Sequence, residues 1–159
     1  MEKLDKADKE ILQLLQENCR LSAREIAKKT GSLTTTVYAK IRRMEQIGVI
    51  KGYHAEIDGK KVDRGIKAIV LVSFEYHKGL GKTLSQRSIA KRIASFEEVQ
   101  DVYLISGDWD IVLKVVGESV DGIGQFVMDK LRKLEGIDKV TTSMVFATEK
   151  ESLQIVLKK

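Results

Sequence analysis

Residues Leu21 to Gly52 constrain this chain more than any other stretch: they read as two short helices, a tight turn between them, and a glycine stop before an extended segment. Ser22-Ala23-Arg24-Glu25 has the spacing of a capping box, in which the serine hydroxyl and the glutamate carboxylate each satisfy an amide left free at a helix start. Gly31 suits the left-handed turn that follows a helix end. The next helix carries Val37, Ile41, Met44 and Ile47 on one stripe and stops at Gly48. Its opposite face carries Thr35, Ala39, Arg42 and Gln46, flanked by Tyr38 on one side and by Thr36, Lys40 and Arg43 on the other. No acid occurs from Ile26 through Met44, whereas Lys28, Lys29, Lys40, Arg42 and Arg43 all fall there. A helix that is apolar behind and basic and hydroxyl-rich in front, set after a short helix and a turn, suits entry into a DNA major groove. The bland alternative is a solvated helix face. The absence of carboxylates argues against it, because an acid there would meet phosphate and cost affinity.

The rest of the N-terminal part supports a small three-helix domain. Asp5 is the expected N-cap of a first helix, with Asp8 in the first turn near the positive helix end. Ala7, Ile11, Leu14 and Leu15 then form a stripe able to pack with Leu21, Ile26, Ala27, Val37, Ile41 and Met44. Val49 to Ile57 reads as a strand, the wing of a winged helix. Asp58 to Gly65 is polar and bounded by glycine, as expected of a linker. Charge follows this division. Residues 1–64 hold 14 Lys and Arg against 10 Asp and Glu, whereas the remainder holds 14 against 13. The excess sits where phosphate would be met.

Beyond the linker the pattern alternates strands and helices. Ala68 to Tyr76 is rich in β-branched and aromatic residues. A polar glycine loop from Lys78 to Lys82 precedes a helix with Ile89, Ile93 and Phe96 on one face. Val99 to Ser106 and Asp110 to Val116 are strands joined by Gly107-Asp108-Trp109. Ser119 to Leu134 is a helix, Val140 to Thr148 a strand, and Ser152 to Leu157 a further short strand. Phe96-Glu97-Glu98-Val99-Gln100-Asp101-Val102 recurs as Leu134-Glu135-Gly136-Ile137-Asp138-Lys139-Val140, each copy ending a helix and starting a strand. The order is βαββαβ, ferredoxin-like. The fold class is therefore α+β, with helix-turn-helix residues 1–53, a strand and linker over 54–66, and a ferredoxin-like domain over 67–159. Ile69 and Leu71 alternate with Val70, Val72 and Phe74, and Val112 with Ile111 and Leu113, so both sheet faces are apolar. Two helices cover one face; the other calls for a second chain, a dimer at least.

Several classes find no support. There is no apolar run long enough to span a membrane, and no signal-peptide core at the N-terminus. The single cysteine, Cys19, fits a reducing cytoplasm and forms no metal cluster with His54 or His77, so no cofactor or metal is expected.

At this point the chain resembles the Lrp/AsnC family, the leucine-responsive or feast/famine regulators of bacteria and archaea. Leu4-Asp5-x-x-Asp8-x-x-Ile11-Leu12-x-Leu14-Leu15-Gln16 looks like the family's opening helix, and Leu21-Ser22-x-x-Glu25-Ile26-Ala27 its second. Val37-x-x-x-Ile41-x-x-Met44-Glu45-x-x-Gly48-Val49-Ile50-Lys51-Gly52-Tyr53 is similar to the recognition helix and following strand. Val102-Tyr103-x-x-Ser106-Gly107-Asp108-Trp109-Asp110-x-x-Leu113-Lys114-Val115 resembles the effector-domain signature, and Val140-x-Thr142-Ser143-x-Val145 the last strand. One departure is the order Ser32-Leu33 after Gly31, where the family usually has Leu-Ser. Leu33 is a poor cap, so Ser32 or Thr34 is the expected substitute and the helix start stays open by a turn.

The resemblance implies a transcription regulator that binds double-stranded DNA as a homodimer, assembling further to an octamer, with an amino acid or similar small molecule bound between subunits. Thr34, Thr35, Thr36, Tyr38, Ala39, Lys40, Arg42 and Arg43 would face the groove. Gly107, Asp108 and Asp110, with Thr142 and Ser143, would hold the effector. Acceptors for an ammonium, hydroxyl or amide donors for a carboxylate and a glycine for close approach suit that ligand. On the bare residues Gly-Asp-x-Asp is equally a hairpin turn. Two other readings compete: an enzyme like the sirohaem decarboxylases, for which only His54 and His77 are available, and an architectural DNA-binding protein of the same fold.

Overall fold

A computed structural model describes residues 3–75, 77–78, 82–83 and 85–157, the side chains of 77–78 and 82–83 excepted. The chain divides into two units, one of residues 1–56 with 150–159 and one of residues 57–149.

The first unit holds helices α1 (Lys6–Glu17), α2 (Ala23–Thr30) and α3 (Thr34–Gln46). Two of the three start on capping boxes. Asp5 accepts the Asp8 amide while Asp8 accepts that of Asp5, and Ser22 and Glu25 repeat the arrangement. Ile11, Ile26, Val37 and Met44, each essentially inaccessible to solvent, form the centre of the core with Leu12, Leu15 and Ala27 around them. Gly31 ends α2 with φ 67°, a left-handed value that costs a residue with a Cβ.

Three expectations for this unit require correction. Helix α3 begins at Thr34 with Leu33 as N-cap and no side-chain cap, so neither Ser32 nor Thr34 takes that role. Val49 to Ile57 is not a strand: the amides of Val49 and Ile50 fold back onto the Met44 carbonyl, and no described residues pair with the segment. A lone extended segment lacks ladder partners and has no reason to persist as sheet. The expected short strand over Ser152 to Leu157 is also absent. The described residues from 150 to 157 group with the helices instead. Gln16 explains the return. Its Nε2 donates to the Ile155 carbonyl at 3.1 Å, its Oε1 accepts the Ile155 amide at 2.6 Å, and Leu157 packs on the helical core.

The second unit is a four-stranded antiparallel sheet in the order β4-β5-β1-β6, from β1 (Ile66–Phe74), β4 (Val99–Leu104), β5 (Ile111–Gly117) and β6 (Ile137–Met144). A two-residue pair, β2 (His77–Lys78) with β3 (Lys82–Thr83), stands apart. Helix α4 (Gln86–Ile93) lies between β3 and β4. Helix α5 (Val120–Gln125) lies after β5 and widens to a π-helical turn over Phe126–Leu131. These residues make the helices pack one sheet face: Ile89, Ile93, Ile123, Phe126 and Leu131 meet Ala68, Val70, Val72, Ile111, Leu113 and Val115.

The internal repeat has a structural counterpart. The Val99 amide bonds to the Phe96 carbonyl, and the Ile137 amide to the Leu134 carbonyl, so both copies turn from helix to strand in the same way. Phe96 and Phe126 meet edge to face, centroids 5.6 Å apart, where the two halves join.

Candidate nucleic-acid interface and ligand hairpin

Helix α3 is fixed from behind by Val37 and Met44. Thr34, Thr35, Thr36, Tyr38, Ala39 and Arg42 are exposed, all but Thr34 on or beside the outer face of the helical wheel and Thr34 at the helix start. Tyr38 and Arg42, one turn apart, form a unit. The guanidinium lies 5.5 Å from the ring centroid and its Nε donates to the tyrosine hydroxyl at 3.1 Å. That contact holds a long side chain in one orientation at little entropic cost.

Lys40 and Arg43 do not share this exposure. Lys40 Nζ reaches Asp5 Oδ2 at 2.5 Å and Asp8 Oδ1 at 3.0 Å, and Arg43 Nη2 reaches Asp8 Oδ2 at 2.6 Å. The Asp8 side chain is wholly buried. The Lys40 ammonium, helped by the Asp8 amide, pulls the Asp5 carboxyl down to about 2. Lys40 is raised in turn, chiefly by its hydrogen bond to Asp5 and against the effect of burial. Periodicity placed these two cations beside the outer face, whereas α1 stands close enough to take their charge. Asp8 is the residue that sequence reasoning missed. Its position in the first turn of α1 signalled a cap, and it is also the counter-ion of α3.

In the second unit the chain between β4 and β5 turns with the Ile105 amide donating to the Asp110 carbonyl at 2.9 Å, and Gly107 adopts φ 123°. No atom lies within 4 Å of where a Gly107 Cβ would stand, so a side chain there is resisted by the backbone alone. Asp108 is exposed and Trp109 half-buried. Asp110 differs from Asp108. Its Oδ2 accepts the Phe74 amide at 2.7 Å, its Oδ1 accepts from Gln86 Nε2 at 3.3 Å, and Gln86 Nε2 also donates to its carbonyl at 3.2 Å. Asp110 therefore ties the hairpin to the end of β1 and the start of α4. Asp110→Ala is expected to lower unfolding free energy by about 1–3 kcal/mol, since it removes the acceptor of a buried amide. Asp108→Ala should stay within about 0.5 kcal/mol of the parent. Urea titrations of the two variants check the difference.

Thr142 and Ser143 stand on β6 opposite Val70 and Ile69, both exposed. As neighbours on a strand they point to opposite faces. Strand β1 separates β6 from the hairpin strand β5, about 10 Å across two ladder spacings. One chain thus brings Gly107, Asp108 and Asp110 together but does not bring them to Thr142 or Ser143. Of the two histidines, His54 lies against Gly52, and the side chain of His77 is outside the described residues. Among the described residues no three His, Cys, Asp or Glu side chains group as a metal site, and no helix is long and apolar enough to cross a membrane.

Comparison with known proteins gives this geometry its context. The family model described as winged helix-turn-helix DNA-binding matches residues 4–51, and that described as Lrp/AsnC ligand binding domain matches residues 67–155. The chain belongs to the Lrp/AsnC family. An HTH-type transcriptional regulator of Pyrococcus horikoshii is 35% identical over 150 residues, covering 94% of this chain and 97% of the relative. One of Bacillus subtilis is 36% identical over 145 residues, covering 90% and 85%. A Neisseria meningitidis transcriptional regulator solved as a complex with L-methionine superposes with TM-score 0.88 at 25% identity, covering 97% of both chains. An AsnC family regulator from Agrobacterium tumefaciens gives TM-score 0.86 at 28% identity, covering 96% and 97%. The protein is accordingly a DNA-binding transcription regulator of Lrp/AsnC type, its N-terminal unit a winged helix-turn-helix and its C-terminal unit a ligand-binding domain.

Proposed function

We propose that the outer face of α3 reads double-stranded DNA through Thr34, Thr35, Thr36, Tyr38, Ala39 and Arg42, and that an amino acid or related small molecule controls this from the C-terminal unit. The observation that carries the first part is the exposed Arg42, oriented by Tyr38 in a stretch, Ile26 through Met44, that holds no acid. Arginine in the major groove takes two acceptors of guanine, and the hydroxyls take phosphates or bases. We place the effector at the β4–β5 hairpin, where the exposed Asp108 supplies an acceptor for an ammonium. Thr142 and Ser143 take part only if a second copy supplies β6. That requirement agrees with a dimer as the minimum assembly, with the octamer following from the family resemblance. Lys40 and Arg43 are set apart from the reading face by their ion pairs.

A regulator of this kind acts where the chromosome is, in the cytoplasm of a bacterium or archaeon, and no catalytic activity is assigned to it. The relatives named as transcriptional regulators favour the regulator over the tetrapyrrole enzyme.

Trp109, the only tryptophan, adjoins the proposed ligand acceptor and reports on it. The twenty amino acids, beginning with L-methionine, are to be added singly to the full chain. The effector is expected to change indole emission saturably and to raise the melting temperature by mass action. Asp108→Asn should abolish both responses without changing the melting temperature of the free protein. If none of the twenty alters either signal, amino-acid control is refuted and DNA binding stands alone.

A further inference from the structure

We propose that Asp8 is a specificity-determining residue: it holds Lys40 and Arg43 against α1 and so keeps them out of the set of cations that meet the DNA backbone. The proposal rests on the reading of α3 as the DNA-facing helix. Lys40 and Arg43 lie three residues apart on one flank of that helix and converge on the same carboxylate, Oδ1 taking the ammonium and Oδ2 the guanidinium. Oδ2 also accepts the Asp5 amide, and Asp5 makes a second contact to Lys40. Two carboxylates and two cations leave the cluster neutral. The Asp8 side chain has no exposure to water, so a cation that left for a phosphate would take a partner from a buried charge that water cannot reach. Phosphate therefore competes poorly for either side chain.

The consequence falls on selectivity. Sequence-independent affinity grows with the number of phosphates neutralised, while base contacts carry the discrimination. Of the three cations at positions 40, 42 and 43, only Arg42 projects from the outer face, and it is the one oriented by an aromatic ring. Sequestering the other two lowers binding to any duplex and leaves base reading in place. The ratio between preferred and arbitrary sequence rises. A mere pin between α1 and α3 would affect melting and leave the salt dependence of DNA binding unchanged.

The test uses the full chain with two probes: a short duplex of mixed sequence, and a duplex enriched from a random library by the parent protein. Binding constants are measured against KCl concentration. Asp8→Asn is expected to steepen the slope of log K against log [KCl] on the mixed duplex by roughly 1–2, about 0.9 for each cation released to a phosphate. It should also bind that duplex more tightly than the parent and lose several-fold in preference for the enriched one. A folded Asp8→Asn with parental slope and preference overturns the proposal. Should Asp8→Asn fail to fold, Arg43→Gln decides, because Asp8 keeps Lys40 and the Asp5 amide there. The parental slope is expected; a slope shallower by about 0.9 means that Arg43 already meets a phosphate and overturns the proposal. Arg42→Ala on the same duplexes separates this from the wider reading. Lost affinity in Arg42→Ala beside a parental Asp8→Asn refutes the Asp8 role alone, and no loss in Arg42→Ala removes α3 from the DNA and takes both readings down.

Discussion

Leu71→Asp is expected to convert the protein to single chains and to lower its affinity for a duplex carrying two half-sites by roughly 10²–10⁴-fold, the range that linking two binding modules contributes. The reason lies in β1. Ala68, Val70, Val72 and Phe74 are buried beneath α4 and α5, while Ile69 and Leu71 between them are only half covered. On the same face Leu71 pairs across the ladder with Val112, and Val112 with Tyr103, which is 56% exposed. An apolar patch across three strands, on the sheet face opposite to the one that α4 and α5 pack, is stabilised by burial against a second copy. A carboxylate at its centre would have to be desolvated there without a partner. Sedimentation at micromolar concentration reads the mass, and binding to duplexes with one or two half-sites reads the linkage. The isolated folding of the helical unit should be unaffected, since its core shares no residue with the sheet. A Leu71→Asp protein that sediments as the parent does and binds both duplexes equally well would contradict the role assigned to this face.

How much of this was legible in the residues depends on the range of the interaction involved. The N-cap Asp5, the capping box at Ser22, the left-handed Gly31 and the βαββαβ order are written in local spacing, and the structure shows each of them. Features set by what lies across space were misread or missed. A helical wheel gives Lys40 and Arg43 an angle, but only the packing of α1 shows that Asp8 waits at that angle. Asp108 and Asp110 are alike as letters. The one is exposed, and the other is consumed by Phe74 and Gln86, residues more than twenty positions away. Val49 to Ile57 has the composition of a strand, yet composition cannot supply a ladder partner. Ser152 to Leu157 has the alternation of a short strand, yet the reciprocal bonds of Gln16 to Ile155 hold it against the helices instead.

Arg42→Ala is expected to weaken binding to the preferred duplex by about 1–3 kcal/mol, roughly 5- to 150-fold, and to weaken binding to arbitrary sequence much less. The asymmetry follows from geometry. A guanidinium that accepts support from an aromatic face is held in one plane, and a planar fork held in place is what two acceptors on one guanine edge require. Were Arg42 only a phosphate contact, its loss would weaken all sequences equally and reduce the salt slope by about 0.9. Tyr38→Phe divides the support into its parts. The ring remains beneath the guanidinium, but the hydroxyl that accepts from Nε is gone. If stacking does the positioning, Tyr38→Phe keeps most of the preference and Tyr38→Ala loses it; if the hydrogen bond does, the two variants fall together. Competition binding with duplexes altered one base pair at a time reads these outcomes directly. A base pair whose identity matters to the parent and to Tyr38→Phe, but not to Arg42→Ala, is the one that Arg42 reads.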